Sequence, residues 1–171
     1  RHLGKTGIGI LSIYHYDLRD LITLGSDPNG ILSFANSDRV IGSGLEAEVF
    51  GTLASRLQGR VSYSFQKAVE AAGGGSLTNS PRHLAKASLN MPARKEVLWT
   101  GLEMQYVSPR LSPKGDNVPG HFSANLTLLT RGWARGLELS LGLYNLLDHR
   151  YGDPASEEHE QVAILQDGRN L

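Results

Sequence analysis

The sequence predicts an all-β chain: an antiparallel up-and-down meander of about seven strands, a fragment of a large transmembrane β-barrel. Three observations predict it. The segment 135–151, RGLELSLGLYNLLDHRY, places Leu137, Leu139, Leu141 and Leu143 on one parity and Glu138, Ser140, Gly142 and Tyr144 on the other. Period two marks a strand, and a wall of leucines needs an apolar neighbour, either a second sheet or lipid. The connections between such segments alternate long and short along the whole chain. No helix-period segment is long enough to compete.

Composition bounds the alternatives. A length of 171 residues suits one domain with a sizeable core. Lys plus Arg and Asp plus Glu number 17 each, so charge gives no reason to expect a nucleic-acid partner or a polybasic membrane anchor. Cysteine is absent, which excludes disulfides, thiolate metal sites and thiol nucleophiles. Nowhere do ~20 apolar residues run together as a transmembrane helix requires. The negative mean hydropathy does not exclude barrel strands, whose lumen side chains are polar. The chain begins with Arg1 and shows no signal peptide, which suggests a fragment or a processed chain.

The elements follow in order. Residues 6–23 read as a first strand, with Ile8, Ile10, Tyr14, Tyr16 and Leu18 on one parity and His15, Asp17 and Arg19 on the other. Turn formers crowd 24–38, predicting a loop. A second strand, 40–52, sets Leu45, Ala47 and Val49 against Glu46 and Glu48. A short turn at 53–55 leads to a third, where Leu57, Val61, Tyr63 and Phe65 oppose Arg56, Gln58, Arg60, Ser62, Ser64 and Gln66. The stretch 67–82 is a loop made mobile by Gly73, Gly74 and Gly75. A fourth strand, 83–91, places Ala85, Ala87, Leu89 and Met91 opposite Lys86, Ser88 and Asn90. Pro92, Arg94, Lys95 and Glu96 make a tight turn into a fifth, where Leu98, Leu102, Met104 and Tyr106 oppose Gly101, Glu103 and Gln105. Three prolines in 108–120 interrupt any ladder. A sixth strand, 122–129, sets Phe122, Ala124, Leu126 and Leu128 against Ser123, Asn125 and Thr127, and a turn around Trp133 returns to 135–151. The remainder is acidic and loop-like as far as Gln161. Long connections therefore fall at 24–38, 67–81, 108–120 and beyond 149, and short ones at 53–55, 92–96 and 131–135. Long loops on one rim and short turns on the other are the layout of an outer-membrane barrel rather than of a Greek-key sandwich.

The phrases YNLLDHRYGDP at 144–154 and QDGRN at 166–170, with TNSPRHL at 78–84 and YHYDLRDLI at 14–22, resemble the TonB-dependent receptors, ligand-gated importers of the Gram-negative outer membrane. The resemblance covers essentially the whole chain. It implies a barrel of which residues 1–171 are the C-terminal portion, without the plug domain and the last strand. It also implies coupling to the TonB complex through that missing plug, and a small-molecule metal chelate or similar ligand such as a ferric siderophore, haem or cobalamin.

On that orientation the long loops face outward from the cell and the apolar parity faces outer-membrane lipid. Glu46, Arg60, Lys86, Glu103 and Glu138 then face the lumen. Short-turn pairing would set Glu46 opposite Arg60, or Glu48 opposite Arg56, and Lys86 opposite Glu103. Such a register keeps Glu46 on the face away from Leu45, Tyr63 and Leu139. Tyr63, Phe65, Tyr106 and Phe122 form an outer-rim girdle, while Trp99 and Trp133 fall near the inner rim, Trp99 with lumen parity.

Candidate chemistry is sparse. His149, Asp153, Glu157, Glu158, His159 and Glu160 are the residue types that ligate metals, but their spacing fits no helical ligand motif and suits a solvated loop equally, so no metal site is assigned. In an outer loop, His149, Glu157 and His159 are candidate ligand contacts, with Arg110 and Lys114 for anionic groups. Gly4, Lys5 and Thr6 echo the end of a P-loop, yet a strand follows where a helix is required. Asn125, Leu126 and Thr127 form a sequon without meaning in a bacterial barrel strand. No nucleophile elbow appears, no cofactor is implied, and enzymatic activity is not expected. The competing reading is a soluble β-sheet binding or structural module that hides its apolar face by self-association, and an isolated fragment with unpaired edges is expected to associate laterally.

Overall fold

The computed structural model describes residues 2–3, 7–26, 29, 31–54, 56–94, 97–134 and 136–171. Its strands are β1 (His2–Leu3), β2 (Gly7–Ser26), β3 (Leu32–Ala54), β4 (Leu57–Glu70), β5 (His83–Arg94), β6 (Leu98–Val107), β7 (Arg110–Leu111), β8 (Asn117–Val118), β9 (His121–Ala134), β10 (Leu137–Leu143), β11 (Gly152–Pro154) and β12 (Ala163–Leu165). The main sheet has the order β1-β2-β3-β4-β5-β6-β9-β10, antiparallel throughout. Seven long strands thus run in the predicted meander, with the two-residue β1 added beside β2. The pairs β7–β8 and β11–β12 are small hairpins inside the loops.

Alternation fixes two unlike faces. Register rows carry a side chain's face from strand to strand, because directly opposed residues point the same way. One row reads Glu48, Ser62, Lys86, Gln105, Ser123 from β3 through β9, and its neighbour reads Val49, Val61, Ala87, Met104, Ala124. Leu45 and Glu46 therefore lie on opposite faces, as the alternation requires. On the outward face Leu11, Ile13, Val61 and Leu141 are 66, 78, 58 and 54 % exposed. From Leu57 to Phe65 that face covers about 27 Å along β4 at ~3.4 Å per residue. At a barrel strand's tilt of roughly 35–45° that length rises about 19–22 Å, most of the ~25 Å height of a lipid band.

Ala47, Tyr63, Ala85, Tyr106 and Phe122 occupy a single row. Its three aromatics, with Phe65 one outward position further along β4, make a belt at the long-loop end of the band. Trp99 lies opposite Leu129 and Pro92 and lines a depression with Gln58, Asn90 and Arg131, which places it on the polar face.

Several expectations change. The first strand's faces are inverted: Ile10, Tyr14 and Tyr16 share the row positions of Glu48, Gly44 and Gly42, while Leu11 and Ile13 stand beside Ala47 and Leu45. Both parities of that strand carry apolar side chains, so alternation alone is ambiguous there. The tyrosines face the polar side because the glycines opposite leave room. A Cβ on Gly42 would lie 2.1 Å from Tyr16 Cζ and one on Gly44 would lie 2.3 Å from Tyr14 Oη.

The expected loop 24–38 is largely strand, since β2 runs to Ser26 and β3 begins at Leu32. A two-stranded ribbon in water satisfies its backbone by the ladder alone and needs no apolar face. Residues 27, 28 and 30 of that turn lie outside the described residues, as do Ser55, Lys95, Glu96, Arg135 and the P-loop-like Gly4, Lys5 and Thr6. The side chains of Arg94 and Trp133 do so too.

The register is also shifted. Glu46 opposes Ser64, Glu48 opposes Ser62 and Arg60 opposes Phe50, because the turn closes at Ala54 and Leu57 after a bulge. Arg56 sits in that turn with φ 104° rather than opposite Glu48. Lys86 opposes Gln105, and Glu103 opposes Ser88. Pro92 belongs to β5 and pairs with Trp99 just before the ladder slips, a position where its missing N–H is tolerated.

Candidate functional site

Two groups of polar residues stand out. The first lies on the polar face of β4–β9, where Arg60, Lys86 and Glu103 line an open depression of about 490 Å³ with Ser62, Ser88 and Asn125. Strand alternation alone assembles it. Arg60 Nη2 donates to Glu48 Oε2 at 2.6 Å, a diagonal contact across β3 and β4. Glu46 is exposed on the same face, and Glu138 approaches Arg131 at 3.8 Å. All five expected polar-face residues therefore share one side of the sheet, although none of the expected direct cross-strand pairs forms.

The second group lies at the long-loop end, where Val107, Ser108, Ser112, Val118, His121, Asn145 and Ala155 are buried around the two small hairpins. Arg110, on β7, is its fastener. Nη2 donates to Asp153 Oδ1 on β11 at 2.5 Å and Nη1 to Asn79 Oδ1 at 3.2 Å, so one guanidinium joins three loops. Its side chain is 10 % exposed, and its Nε is buried without a partner, as is His121 Nδ1. His121 stacks on Tyr151 with centroids 3.9 Å apart, and His149 extends the stack at 6.5 Å.

Of the expected ligand contacts, Lys114 donates through Nζ to the Glu160 carbonyl at 2.5 Å, and Glu157 and His159 are exposed on the β11–β12 connection. Arg110 and Lys114 thus already serve loop-to-loop contacts. Among the described residues no group of three or more His, Cys, Asp or Glu is placed to hold a metal ion.

Asn145, which motif reasoning did not single out, organises the chain's last segment. Its Oδ1 accepts from His149 N–H at 3.1 Å, and its Nδ2 donates to the carbonyls of His149 and Asp167 at 3.0 and 3.2 Å. Its own N–H donates to Asn125 Oδ1 at 3.0 Å. The left-handed backbone, φ 50°, is one that Asn tolerates better than most residues. Asp148 Oδ1 accepts from Arg169 N–H at 2.8 Å, and Tyr144 and Asn170 exchange backbone hydrogen bonds. The phrases YNLLDHRY and QDGRN are thereby one structural unit, in which the chain returns to pair beside β10.

At the other side of the sheet Asp17 accepts a forked pair from Arg39, Nε to Oδ1 and Nη2 to Oδ2, both at 2.7 Å. Arg19 adds a third contact at 3.0 Å. These hydrogen bonds, Arg39's first, hold the Asp17 carboxyl well below the usual carboxylate range.

The sequence model of the family described as "TonB dependent receptor-like, beta-barrel" matches residues 3–146. The chain belongs to the TonB-dependent receptor family. Among solved structures, this receptor chain is similar to the ferric-catecholate import receptor Fiu from E. coli K12, with 19 % identity over 98 % of the chain and 24 % of Fiu, TM-score 0.73. It is similar to the ferric yersiniabactin uptake receptor FyuA from Yersinia pestis, with 16 % identity over 96 % of the chain and 26 % of FyuA, TM-score 0.77. It is similar also to the copper transporter OprC, with 17 % identity over 97 % of the chain and 28 % of OprC, TM-score 0.77. At such identities the likeness is one of fold, and the chain spans about a quarter of those receptors' length. Among curated proteins none matches the chain. The family is one of transport receptors rather than enzymes.

Proposed function

We propose that this chain is part of the wall and outer loops of an active-transport receptor of the Gram-negative outer membrane, residues 1–171 forming the C-terminal portion of its barrel. The single observation that carries the reading is the two-faced sheet: large apolar side chains stay exposed along one face, while Glu46, Arg60, Lys86, Glu103 and Glu138 share the other. A soluble sheet would bury that apolar face; a barrel wall presents it to lipid and turns the charges to the lumen. The ligand is a scarce metal chelate of the ferric siderophore, haem or cobalamin type. Similarity to receptors named for ferric-catecholate import and ferric yersiniabactin uptake supports that class. Binding is coupled through a plug domain to the TonB complex.

At the outer rim Lys114, His149, Glu157 and His159 contact the ligand, and Arg110 holds the loops that present them. The test is uptake by the intact receptor in a Gram-negative host stripped of its own iron receptors, offered radiolabelled ferric catecholate, haem or cobalamin. Uptake of one of these, abolished by collapsing the proton gradient, is expected. A folded receptor that imports none of them overturns the ligand class. Unchanged uptake in the double variant His149→Ala/His159→Ala removes those two from the contact surface.

A further inference from the structure

We propose that His121 is an acid-sensitive latch: as a neutral ring it holds the loops 108–120 and 149–165 closed over the polar face, and on protonation it releases them. Its place in the fold makes it the meeting point of the two loops. It is the first residue of β9, directly after the loop that carries β7 and β8. It stands opposite Val107 on β6, in the row that holds Glu46, Ser64 and Leu84, and so faces the polar side of the sheet. There Tyr151 stacks on it, the rings 16° from parallel. The Tyr151 carbonyl accepts the Gln166 N–H at 2.9 Å, so the ring contact reaches both ends of the β11–β12 hairpin.

The site suits a neutral imidazole and not a charged one. His121 is 6 % exposed, and its Nδ1 is buried with no hydrogen-bond partner among the described residues. A neutral ring can leave a bare lone pair at that atom, whereas an imidazolium must carry an N–H at both nitrogens. A charged donor without acceptor or water costs far more than an empty lone pair. The face of Tyr151 attracts an imidazolium, but a ring face cannot serve an in-plane N–H. The charged and titratable groups that face His121 are Arg110 from β7, Asp153 from β11 and His149 from the segment before β11. Asp153 already accepts from the Arg110 guanidinium, so no free counter-ion is at hand. On the β6 side stands only Val107.

His121 lies one residue beyond Phe122 of the aromatic belt, outside the apolar band. With the loops closed, burial makes its ring take up a proton less readily than in water, where about 6.5 is the ordinary value. Closure is therefore fully favoured above about pH 6.5 and loses ground as the pH falls below it. Opening hydrates the ring and frees the loops that carry Lys114, His149, Glu157 and His159. The bearing of the latch on ligand capture rests on the outer rim being the end that presents those residues to the ligand; the opening itself does not.

The experiment is hydrogen exchange on the intact receptor in detergent, without ligand, on either side of about pH 6.5, with rates corrected for the intrinsic pH dependence of exchange. Protection at 110–118 and 152–165, relative to β4, should fall by up to about tenfold per pH unit below that value, the limit for a single proton. His121→Phe keeps a ring on Tyr151 but cannot titrate, and it should hold the loops equally protected at both pH values. His121→Gln gives up the stack and should be independent of pH as well, whatever its starting protection, whereas His149→Phe should keep the response of the unaltered receptor. Unchanged relative protection in the unaltered receptor overturns the proposal. So does a pH response that survives in both His121 variants or vanishes in His149→Phe. An equal loss of protection in β4 would show general loosening by acid and overturn it too. Because no ligand is present, a receptor that imports none of the offered chelates leaves each of these outcomes standing.

Discussion

The wall of the sheet and the cluster at its long-loop end hold together by opposite means. In β4–β6 and β9 the backbone ladder runs on with one slip after Pro92, most side chains are half-exposed, and residues alternate between the apolar and the polar face. Among the described residues of these strands few are buried, chiefly Ala68, Val107, His121 and Ala124. At the long-loop end the ladder is short, two and three residues in β7, β8, β11 and β12. Burial and side-chain hydrogen bonds from Arg110, Asn145 and Asn125 take over. The wall is therefore specified by pattern, with each position replaceable by another of the same polarity. The cluster is specified by individual residues, whose partners have no substitute.

The strongest way to break this contrast is to violate polarity in the wall. Val61 lies at the middle of the apolar band on β4, between Val49 and Ala87. Val61→Arg would put a charge in hydrocarbon at a cost of about 2–4 kcal/mol, whereas Ser62→Arg, one residue along on the polar face, should cost close to nothing. Reversible unfolding of the intact receptor into lipid vesicles measures both. Equal destabilisation by the two variants would mean that the faces are not those of a barrel wall.

A second variant tests whether the cluster depends on single residues. Arg110→Met keeps the side-chain volume but leaves Asp153 and Asn79 without their donor, destabilising the loops by about 1.5–3 kcal/mol. Hydrogen exchange should accelerate at 78–82, 110–118 and 152–165 while β4 stays protected. Arg110→Lys should not restore protection, since a point charge cannot serve two acceptors in a fork. If exchange in the three loops is unchanged, the guanidinium is not their fastener.

The same contrast explains what could be read from the residues in order. The polarity of the wall was legible because period two is local: Leu45 against Glu46, or Tyr63 against Ser62, requires only adjacent positions. Loop rhythm was legible for the same reason. Register was not, because it depends on where the turn closes and on the bulges after Thr52 and Pro92, and both are set by backbone geometry rather than polarity. In the first strand Ile10 and Leu11 compete on equal hydrophobicity, and only Gly42 and Gly44, some thirty positions on, decide for the tyrosines, so local alternation points to the wrong face there. The cluster was least legible. Arg110 meets Asn79 and Asp153 across 31 and 43 positions, so no local spacing announces it. One clue did lie in the sequence, the two phrases at 144–154 and 166–170, whose kinship becomes physical through Asn145 and Asp148.

The smallest expected effect is the most telling about the wall. Arg60 and Glu48 form a 2.6 Å ion pair on the polar face, yet Arg60 is 63 % exposed and Glu48 22 %. Water and salt screen such a contact, so Glu48→Gln should change stability by no more than about 1 kcal/mol, and less at high ionic strength. A pattern-held wall requires that outcome, because the row Phe50, Arg60, Ser88, Glu103 keeps its backbone ladder and polarity whether or not the pair forms. A loss as large as that of Arg110→Met in the same unfolding assay would show the wall to be held by specific side-chain pairs as well, and would erase its distinction from the long-loop cluster.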